Sequence, residues 1–342
     1  MDSQRVLVVG AGALGIASAV RLAAAGHQVS VVASSEDKRA RYLAQGFRLD
    51  AYDAPSQQRP LDVVVSPEEV RQPFDLVIAA TKCAAALDVT RKWLPTLKPD
   101  GMFVPYFNGL LGDELQPLVG ERLVECAVYY PATLIEPGHS LLSGPGGLHL
   151  GAWPRATAAS NARARRAAAM LSAVVQTHVH DDMLSVKWNK LVANCAMTSL
   201  GVISGMQMKD MMQHAPIRRA YREIFRETLA VATAAGARPM TLGGINVGLA
   251  TTLPGFLFDL ALRLRTRRSG QYKSSSQQSL DRGEPTEVDY LNGRVVAEGR
   301  ARNAATPWNS AVVRVVKAIE AAPGTAGLAR IEEMTALASK GR

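Results

Sequence analysis

The chain has 342 residues, 47% hydrophobic and 20% charged, a length that suits two domains and a composition typical of soluble globular proteins. Its net charge of +9 is scattered; the densest runs, Arg163 to Arg166 and Arg263 to Arg268, read as solvated helix faces with no binding motif beside them, so no nucleic-acid partner is expected. Met1 to Gln4 is a short polar lead, and no run is long and apolar enough for a membrane span, which excludes a membrane partner and leaves a cytoplasmic protein as the expectation.

The first element is a valine-rich strand from Arg5 to Val9. It runs into Gly10-Ala11-Gly12-Ala13-Leu14-Gly15, an alanine-rich helical pattern to Ala25, and a second valine-rich strand at Gln28 to Val32. Strand, tight turn, helix and strand in one short unit form the setting in which G-x-G-x-x-G binds a dinucleotide. Gly10 would turn the chain off the strand, Gly12 would admit a pyrophosphate to the backbone, and Gly15 would let the helix pack closely. The helix N-terminus would add N–H groups and partial positive charge. The same glycines without a ligand would be a structural turn.

The end of the second strand selects between the two nicotinamide dinucleotides. An acid there binds ribose hydroxyls, whereas hydroxyls and cations suit a 2′-phosphate. Ser34-Ser35, with Lys38 and Arg39 one turn on, favours NADP(H). Glu36 and Asp37 point the other way unless they lie in the first turn of a helix.

Short strands and turns are expected over residues 46 to 66. Phe74 to Ala80 reads as a buried parallel strand leading through Thr81-Lys82 to a helix ending near Lys92. Met102 to Tyr106 is another strand, running into Asn108-Gly109, and further strands are expected at Arg122 to Tyr130, Ser140 to Ser143 and Gly147 to Leu150. The alternation predicts a doubly wound, mostly parallel sheet with ligands outside the carboxyl ends of its strands. Lys82 and Asn108 both stand on that rim.

A helix over 157 to 176 and a short strand near His178 complete this half. From Asp181 the pattern turns helical: Met183 to Leu200, 217 to 235, 256 to 268, 287 to 299 and Pro307 to Ala321, with no convincing strand after about residue 185. Gly243 to Gly255 reads as a loop or helix start, and the tail after Pro323 as partly loose. The domains expected are therefore 1–181 and 182–342. Cys83, Cys126 and Cys195 give neither a disulfide framework nor zinc spacing, which suits a reducing compartment. His178, His180 and His214 show no ligand spacing, so no metal is expected.

Four stretches hold polar residues that surface filler explains poorly: Thr81-Lys82, Asn108-Gly109, Lys187 to Asn194, and Tyr272 to Gly293. Lys190 and Asn194 share a helix face, while Trp188, Leu191, Val192 and Cys195 would pack the helix elsewhere. Periodicity alone reads Lys190 as a surface lysine on an amphipathic helix, Glu287 as a helix-start residue after Pro285-Thr286, Asn194 as a structural amide and Ser274 to Ser276 as a loop.

Taken together and in order, Gly10-Ala-Gly12-Ala-Leu-Gly15, Thr81-Lys82, Asn108-Gly109, Trp188-Asn-Lys190-Leu-Val-Ala-Asn194, Ser274-Ser275 and Thr286-Glu287-Val-Asp289-Tyr-Leu-Asn292-Gly293 resemble the ketopantoate reductases over essentially the whole chain. The resemblance implies an α/β Rossmann-type doubly wound N-terminal domain followed by an all-α C-terminal domain, with the active site in the cleft between them. It implies NADP(H)-dependent reduction of a small-molecule 2-oxo acid, most directly 2-dehydropantoate to pantoate. Lys190 takes the position of the general acid and Glu287 that of the assisting glutamate. Lys82 and Asn108 would line the cofactor and substrate side, and Asn194 and Ser275 would contact the substrate.

Departures from the family pattern bear on the substrate. Thr198 stands where the best-known members carry a further asparagine, Met208 aligns with a third, Ser279 replaces an aspartate and Ser34 an arginine. The reaction class is expected to persist while selectivity changes. The alternatives are a reductase of another 2-oxo acid or an imine, and a non-catalytic dinucleotide-binding sensor. A homodimer is compatible with the helical second half.

Overall fold

The computed structural model describes residues 3–242, 245–267 and 273–341, so Met1, Gly243, Arg268 and Tyr272, all named above, lie outside the described residues. The chain divides into two compact units, Met1–Leu184 and Ser185–Arg342.

The first unit begins with β1 (Arg5–Val9), α1 (Ala13–Ala24), β2 (Gln28–Val32) and α2 (Glu36–Gln45). Ser35 caps α2 by accepting from the Lys38 amide at 3.3 Å, and Glu36 and Asp37 occupy its first turn, where the helix dipole favours acids. Next come β3 (Phe47–Ala51), β4 (Ala54–Arg59), β5 (Asp62–Val64), β6 (Phe74–Ala79), α3 (Ala86–Trp93), β7 (Leu97–Pro105) and α4 (Gly112–Val119). The unit continues through β8 (Glu125–Val128), β9 (Ala132–Glu136), β10 (His139–Leu142), β11 (Gly147–Gly151), α5 (Ala158–Leu171) and β12 (Gln176–Val179).

A parallel sheet in the order β5-β2-β1-β6-β7 forms the centre of this unit. Its strands are nearly continuous runs of Val, Leu and Ile because both faces are covered; Val6, Val8, Leu76, Ile78 and Val104 are fully buried. From β1 the chain winds outward to β2 and β5, then returns to the other side of β1 as β6 and β7. Strand order therefore reverses between β1 and β6, the switch point where doubly wound sheets bind ligands. Two smaller sheets, β4-β3-β10-β9 and β12-β11-β8, flank it. Helix α5 stops at Leu171, short of the expected residue 176, because the β-branched run that follows Ala173 pairs β12 with β11 instead.

The second unit contains α6 (Met183–Ser204), α7 (Met208–Met211), α8 (Ala215–Ala234), a two-residue hairpin of β13 (Thr241–Leu242) and β14 (Ile245–Asn246), and α9 (Val247–Thr252). It ends with α10 (Gly255–Arg267), α11 (Ser275–Asp281), α12 (Asn292–Ala301), α13 (Pro307–Ala321) and α14 (Leu328–Lys340). Three expectations are corrected here. The β13–β14 hairpin is a strand pair beyond residue 185. The tail is ordered as α14, which buries Ile331, Met334 and Ala338 on one stripe against α8 and α13. Helix α12 starts at Asn292 rather than near 287, because Thr286 is held by Glu320 and Asp289 by Lys317, and the chain turns between them. Among the described residues no helix is long and apolar enough to cross a membrane.

Candidate active site

Each glycine of the first turn meets a different steric demand. Gly10 has φ of +111°, and a Cβ there would lie 2.7 Å from the Ala80 carbonyl oxygen, at the end of β6. A Cβ on Gly15 would stand 1.9 Å from the Gly10 carbonyl oxygen, so α1 packs on the turn only through a glycine. Gly12 is different: a Cβ would meet no protein atom within 4 Å. The space over its backbone is open, and the helix that starts there has no side-chain cap. Ala13 and Leu14 form the first turn of α1, with the Ala13 carbonyl accepting from Ser140 at 2.9 Å.

A cavity of about 500 Å³ opens on this turn. Its lining includes Gly10, Ala11 and Gly12 of the turn, Ser34 and Lys38 beyond β2, and Trp93 of α3. Lys38 Nζ donates to Ser34 Oγ at 3.0 Å, presenting a hydroxyl and an ammonium together. Arg39 is directed elsewhere, to Glu36 at 3.4 Å and Glu69 at 3.1 Å, and the cations lining the cavity are Lys38 and Lys92. Thr81, another lining residue, has its Oγ1 buried without a hydrogen-bond partner among the described residues, a group that a bound polar ligand would satisfy. The open backbone at Gly12, the uncapped helix and this orphaned hydroxyl fit a dinucleotide phosphate chain.

Lys82 follows β6 and Asn108 follows β7, both past the carboxyl ends of their strands. The Cys83 thiol donates to the Asn108 carbonyl oxygen at 2.9 Å and clips the two loops together, while Gly109 turns the chain with φ of +75°. Both side chains are half-buried; neither belongs to the wall of the cavity at Gly10.

In the second unit α6 carries Lys190, Asn194 and Thr198 at four-residue spacing, on one face. Trp188, Leu191, Val192 and Cys195 point into the core. Lys190 and Asn194 are half-buried and Thr198 is buried. The intervening Asn189 is structural: its amide donates to the carbonyls of Ser185 and Arg238 at 2.7 and 2.8 Å and accepts from the Met240 amide at 3.0 Å.

Ser274 to Ser276, readable from periodicity as a loop, begins a helix. Ser274 and Gln277 form a reciprocal capping box on α11. The Gln277 amide also donates to the carbonyls of Gly201 and Met206 at 2.9 and 2.8 Å, and Ser274 Oγ to the Thr198 carbonyl at 3.4 Å. These bonds seat the N-terminus of α11, with Ser275 exposed, at the Thr198 turn of α6. Ser279 is spent inside the helix, bonding the Ser275 carbonyl at 2.9 Å, and Met208 opens the short helix α7.

Glu287 is buried in the turn before α12, not within a helix. The elements bearing Glu287 and Lys190 are joined by Asn292, whose amide donates to the Cys195 carbonyl at 3.2 Å. Asn292 also accepts from Ser199 Oγ at 2.5 Å and donates to Asn309 at 2.9 Å. Asn309 in turn donates to Glu227 through its backbone at 2.7 Å and its side chain at 2.6 Å. Burial pushes the Glu227 carboxyl above its ordinary range, and burial likewise pushes the Cys195 thiol up.

The structure thus gathers Gly10, Ala11, Gly12 and Ser34 around one cavity, and Lys190, Asn194, Thr198 and Ser275 on adjoining turns of α6 and α11. Lys38 and Thr81 join the first group, and both carried a readable signal beside the glycine motif or at a strand end. Tyr42, Val65, Val89 and Trp93 also line the cavity, and only tertiary packing brings them there. Among the described residues no group of three or more His, Cys, Asp and Glu side chains is arranged to hold a metal ion.

Comparison with known proteins matches the same two segments. Residues 6–155 fit the family model for ketopantoate reductase PanE/ApbA, and residues 182–320 fit the model for its C-terminal part. A 2-dehydropantoate 2-reductase of Caulobacter vibrioides is 29% identical over 265 residues, covering 75% of this chain and 81% of that protein. Its counterpart in Pyrococcus abyssi is 25% identical over 326 residues, covering 94% and 99%. A PanE/ApbA family ketopantoate reductase from Ralstonia eutropha superposes with a TM-score of 0.78 at 27% identity, covering 93% of this chain and 98% of that one. D-mandelate dehydrogenase, solved with NADH and anilino(oxo)acetate, shares the fold with a TM-score of 0.80 at 21% identity, covering 93% and 98%. By both segments, in the order and extent described, the chain belongs to the ketopantoate reductase PanE/ApbA family.

Proposed function

We propose that this protein is an NADPH-dependent reductase of a 2-oxo acid, with 2-dehydropantoate as the leading substrate. The observation that carries the reading is Lys190 and Asn194 together on a half-buried polar face of α6, a helix that buries Trp188, Leu191, Val192 and Cys195 elsewhere. A nicotinamide dinucleotide, when bound, supplies the hydride. The backbone of Gly10 to Gly12 and the N-terminus of α1 hold its pyrophosphate, and Ser34 Oγ with Lys38 Nζ holds the 2′-phosphate. Thr81 Oγ1 gains a partner, and Lys82 and Asn108 line the cofactor and substrate side.

Lys190 Nζ acts as general acid: its positive charge stabilises the oxygen as negative charge grows there, and its proton completes the hydroxyl. Glu287 assists. Asn194, Thr198 and Ser275 offer hydrogen bonds to the substrate's carboxylate and hydroxyl groups.

Thr198 and Met208 favour a second reading, a 2-oxo acid other than 2-dehydropantoate. Replacing amide side chains by a hydroxyl and a thioether removes partners for substrate hydroxyls, and such losses shift selectivity by large factors. The test is NADPH oxidation with 2-dehydropantoate and a panel of 2-oxo acids and imines. Turnover of 2-dehydropantoate above the rest supports the first reading, and a different preferred 2-oxo acid supports the second. Tight NADPH binding with turnover of none rejects the reductase and leaves a dinucleotide-binding sensor.

A further inference from the structure

A second cavity, of about 330 Å³, lies within the second unit, where the start of α13 meets the end of α14. Small-molecule sites begin at about that size. Thr306, Ser310 and Arg314 line it at four-residue spacing, and Pro307, Ala311 and Leu337 give it an apolar side. Four residues advance a helix by about 6 Å and little more than one turn, and side chains lean toward the helix N-terminus. The Arg314 side chain therefore reaches back over Ser310 toward Thr306.

None of these three polar groups is used inside the protein. Thr306 is the N-cap residue of α13 but makes no side-chain cap. It is only 9% exposed, and its methyl group packs on α12, since a Cβ at Gly299 would stand 2.6 Å from Thr306 Cγ2. That contact leaves the hydroxyl on the cavity side, without a hydrogen-bond partner among the described residues. A polar group this buried is ordinarily paired with protein, water or ligand. The Ser310 hydroxyl and the Arg314 guanidinium also lack partners among the described residues, whereas Lys317 on the same helix is paired with Asp289 and Glu320. The helix N-terminus is already occupied, because Glu227 accepts from the Trp308 and Asn309 amides. A ligand in this cavity is held by side chains.

Two hydroxyls and a permanent cation, with no acid in the lining, select an oxyanion. A guanidinium offers two parallel N–H groups to a phosphate, and the hydroxyls donate to its remaining oxygens. The apolar side accommodates a small organic group on the same phosphate. We propose that this cavity binds a small phosphate monoester at Arg314, Ser310 and Thr306, a site distinct from the Gly10 cavity of the first unit.

Calorimetric titration of the full-length protein with phenyl phosphate tests it, with NADPH present to keep the probe off the Gly10 turn. Wild type should bind one equivalent with a millimolar or lower dissociation constant. Arg314→Gln, at an exposed position outside any ion pair, should weaken binding at least about ten-fold, the effect of one charge-assisted hydrogen bond. Thr306→Val should also bind more weakly, yet unfold at no lower temperature than wild type, because the hydroxyl it removes has no partner in the free protein. Inorganic phosphate and benzoate separate the sources of the oxyanion, and weaker binding of both than of phenyl phosphate supports the monoester. Inorganic phosphate binding as tightly overturns it in favour of free phosphate, and tighter benzoate binding overturns it in favour of a carboxylate. No binding to wild type overturns the proposal, as does binding that either Arg314→Gln or Thr306→Val leaves unchanged.

Discussion

The Asn292 amide donates to the carbonyl oxygen of Cys195 at 3.2 Å, and this bond ties the start of α12 to the middle of α6. Glu287 lies five residues before Asn292 and Lys190 five residues before Cys195. The two proposed catalytic side chains therefore depend on one buried amide for the register of their elements. Truncation of Asn292 to alanine leaves the Ser199 hydroxyl and the Asn309 carbonyl oxygen buried without this partner. An unsatisfied buried group costs about 1–3 kcal/mol, so Asn292→Ala should lose about 3 kcal/mol in urea unfolding. A loss below about 1 kcal/mol would show that the helices hold their register by apolar packing alone.

Glu227 anchors the far end of the same network and titrates with a definite sign. Its carboxyl accepts from the Trp308 amide at 3.1 Å and from Asn309 twice, yet burial outweighs these bonds and raises its pKa above the ordinary 4.5. The folded protein thus holds this proton more tightly than the unfolded chain. The resulting stability is fully present below pH 4.5 and is lost as pH rises through the raised folded value. The unfolding free energy of wild type minus that of Glu227→Gln should increase as pH is lowered from neutrality toward 5. A difference that shrinks on acidification would contradict the raised pKa.

Much of this was legible in the sequence, for physical reasons. The parallel strands announced themselves because strands buried on both faces become continuous Val, Leu and Ile runs. The three glycines were readable because backbone geometry at a tight turn leaves few alternatives. The polar face of α6 followed from helical spacing. The cavity walls at Trp93, Val65 and Tyr42 were not readable, since those residues look like ordinary core until the sheet places them. The turn before α12 was also hidden: it is set by Glu320 and Lys317, about thirty residues downstream, rather than by local propensity. Helix α14 was underestimated because its buried stripe is short and its flanking residues are polar.

Lys38 should decide the dinucleotide. Its ammonium stands on the cavity wall with Ser34, whereas Arg39 is committed to Glu36 and Glu69. A charge-assisted hydrogen bond to a phosphate is worth about 1.5–3 kcal/mol, and exposure of Lys38 places this one at the low end. Lys38→Ala should weaken NADPH binding about ten-fold and leave NADH binding unchanged. Fluorescence titration with both dinucleotides measures the difference, and equal losses for both would move the 2′-phosphate elsewhere.

Lys190→Ala separates chemistry from binding. A positioned general acid contributes about 10²- to 10⁴-fold, so kcat should fall at least about 100-fold while the dissociation constant for NADPH stays the same. Single-turnover kinetics with the best 2-oxo acid of the panel gives the chemical step directly. Near-normal turnover would reject Lys190 as the proton donor. Because Lys190 lies on the half-buried polar face, the substitution leaves the core residues Trp188 and Leu191 in place.

Gly12 and Gly15 should respond to the same substitution in opposite ways. A methyl group on Gly15 would lie 1.9 Å from the Gly10 carbonyl, a backbone atom that cannot move without lifting α1 off the turn. Gly15→Ala should therefore cost about 3 kcal/mol of stability, as overpacking against backbone does, and lose dinucleotide binding as a consequence. Gly12 has φ of −83° and ψ of −175°, which alanine adopts without strain, and its Cβ position is empty. Gly12→Ala should keep its unfolding free energy within about 0.5 kcal/mol of wild type. The added methyl group would nonetheless occupy the approach to the backbone, so NADPH binding should fall about 100-fold, the effect of holding a charged phosphate off the helix N-terminus and its N–H donors. Thermal unfolding and fluorescence titration of the two variants measure both quantities. Normal NADPH binding by a stable Gly12→Ala variant would place the pyrophosphate away from this turn.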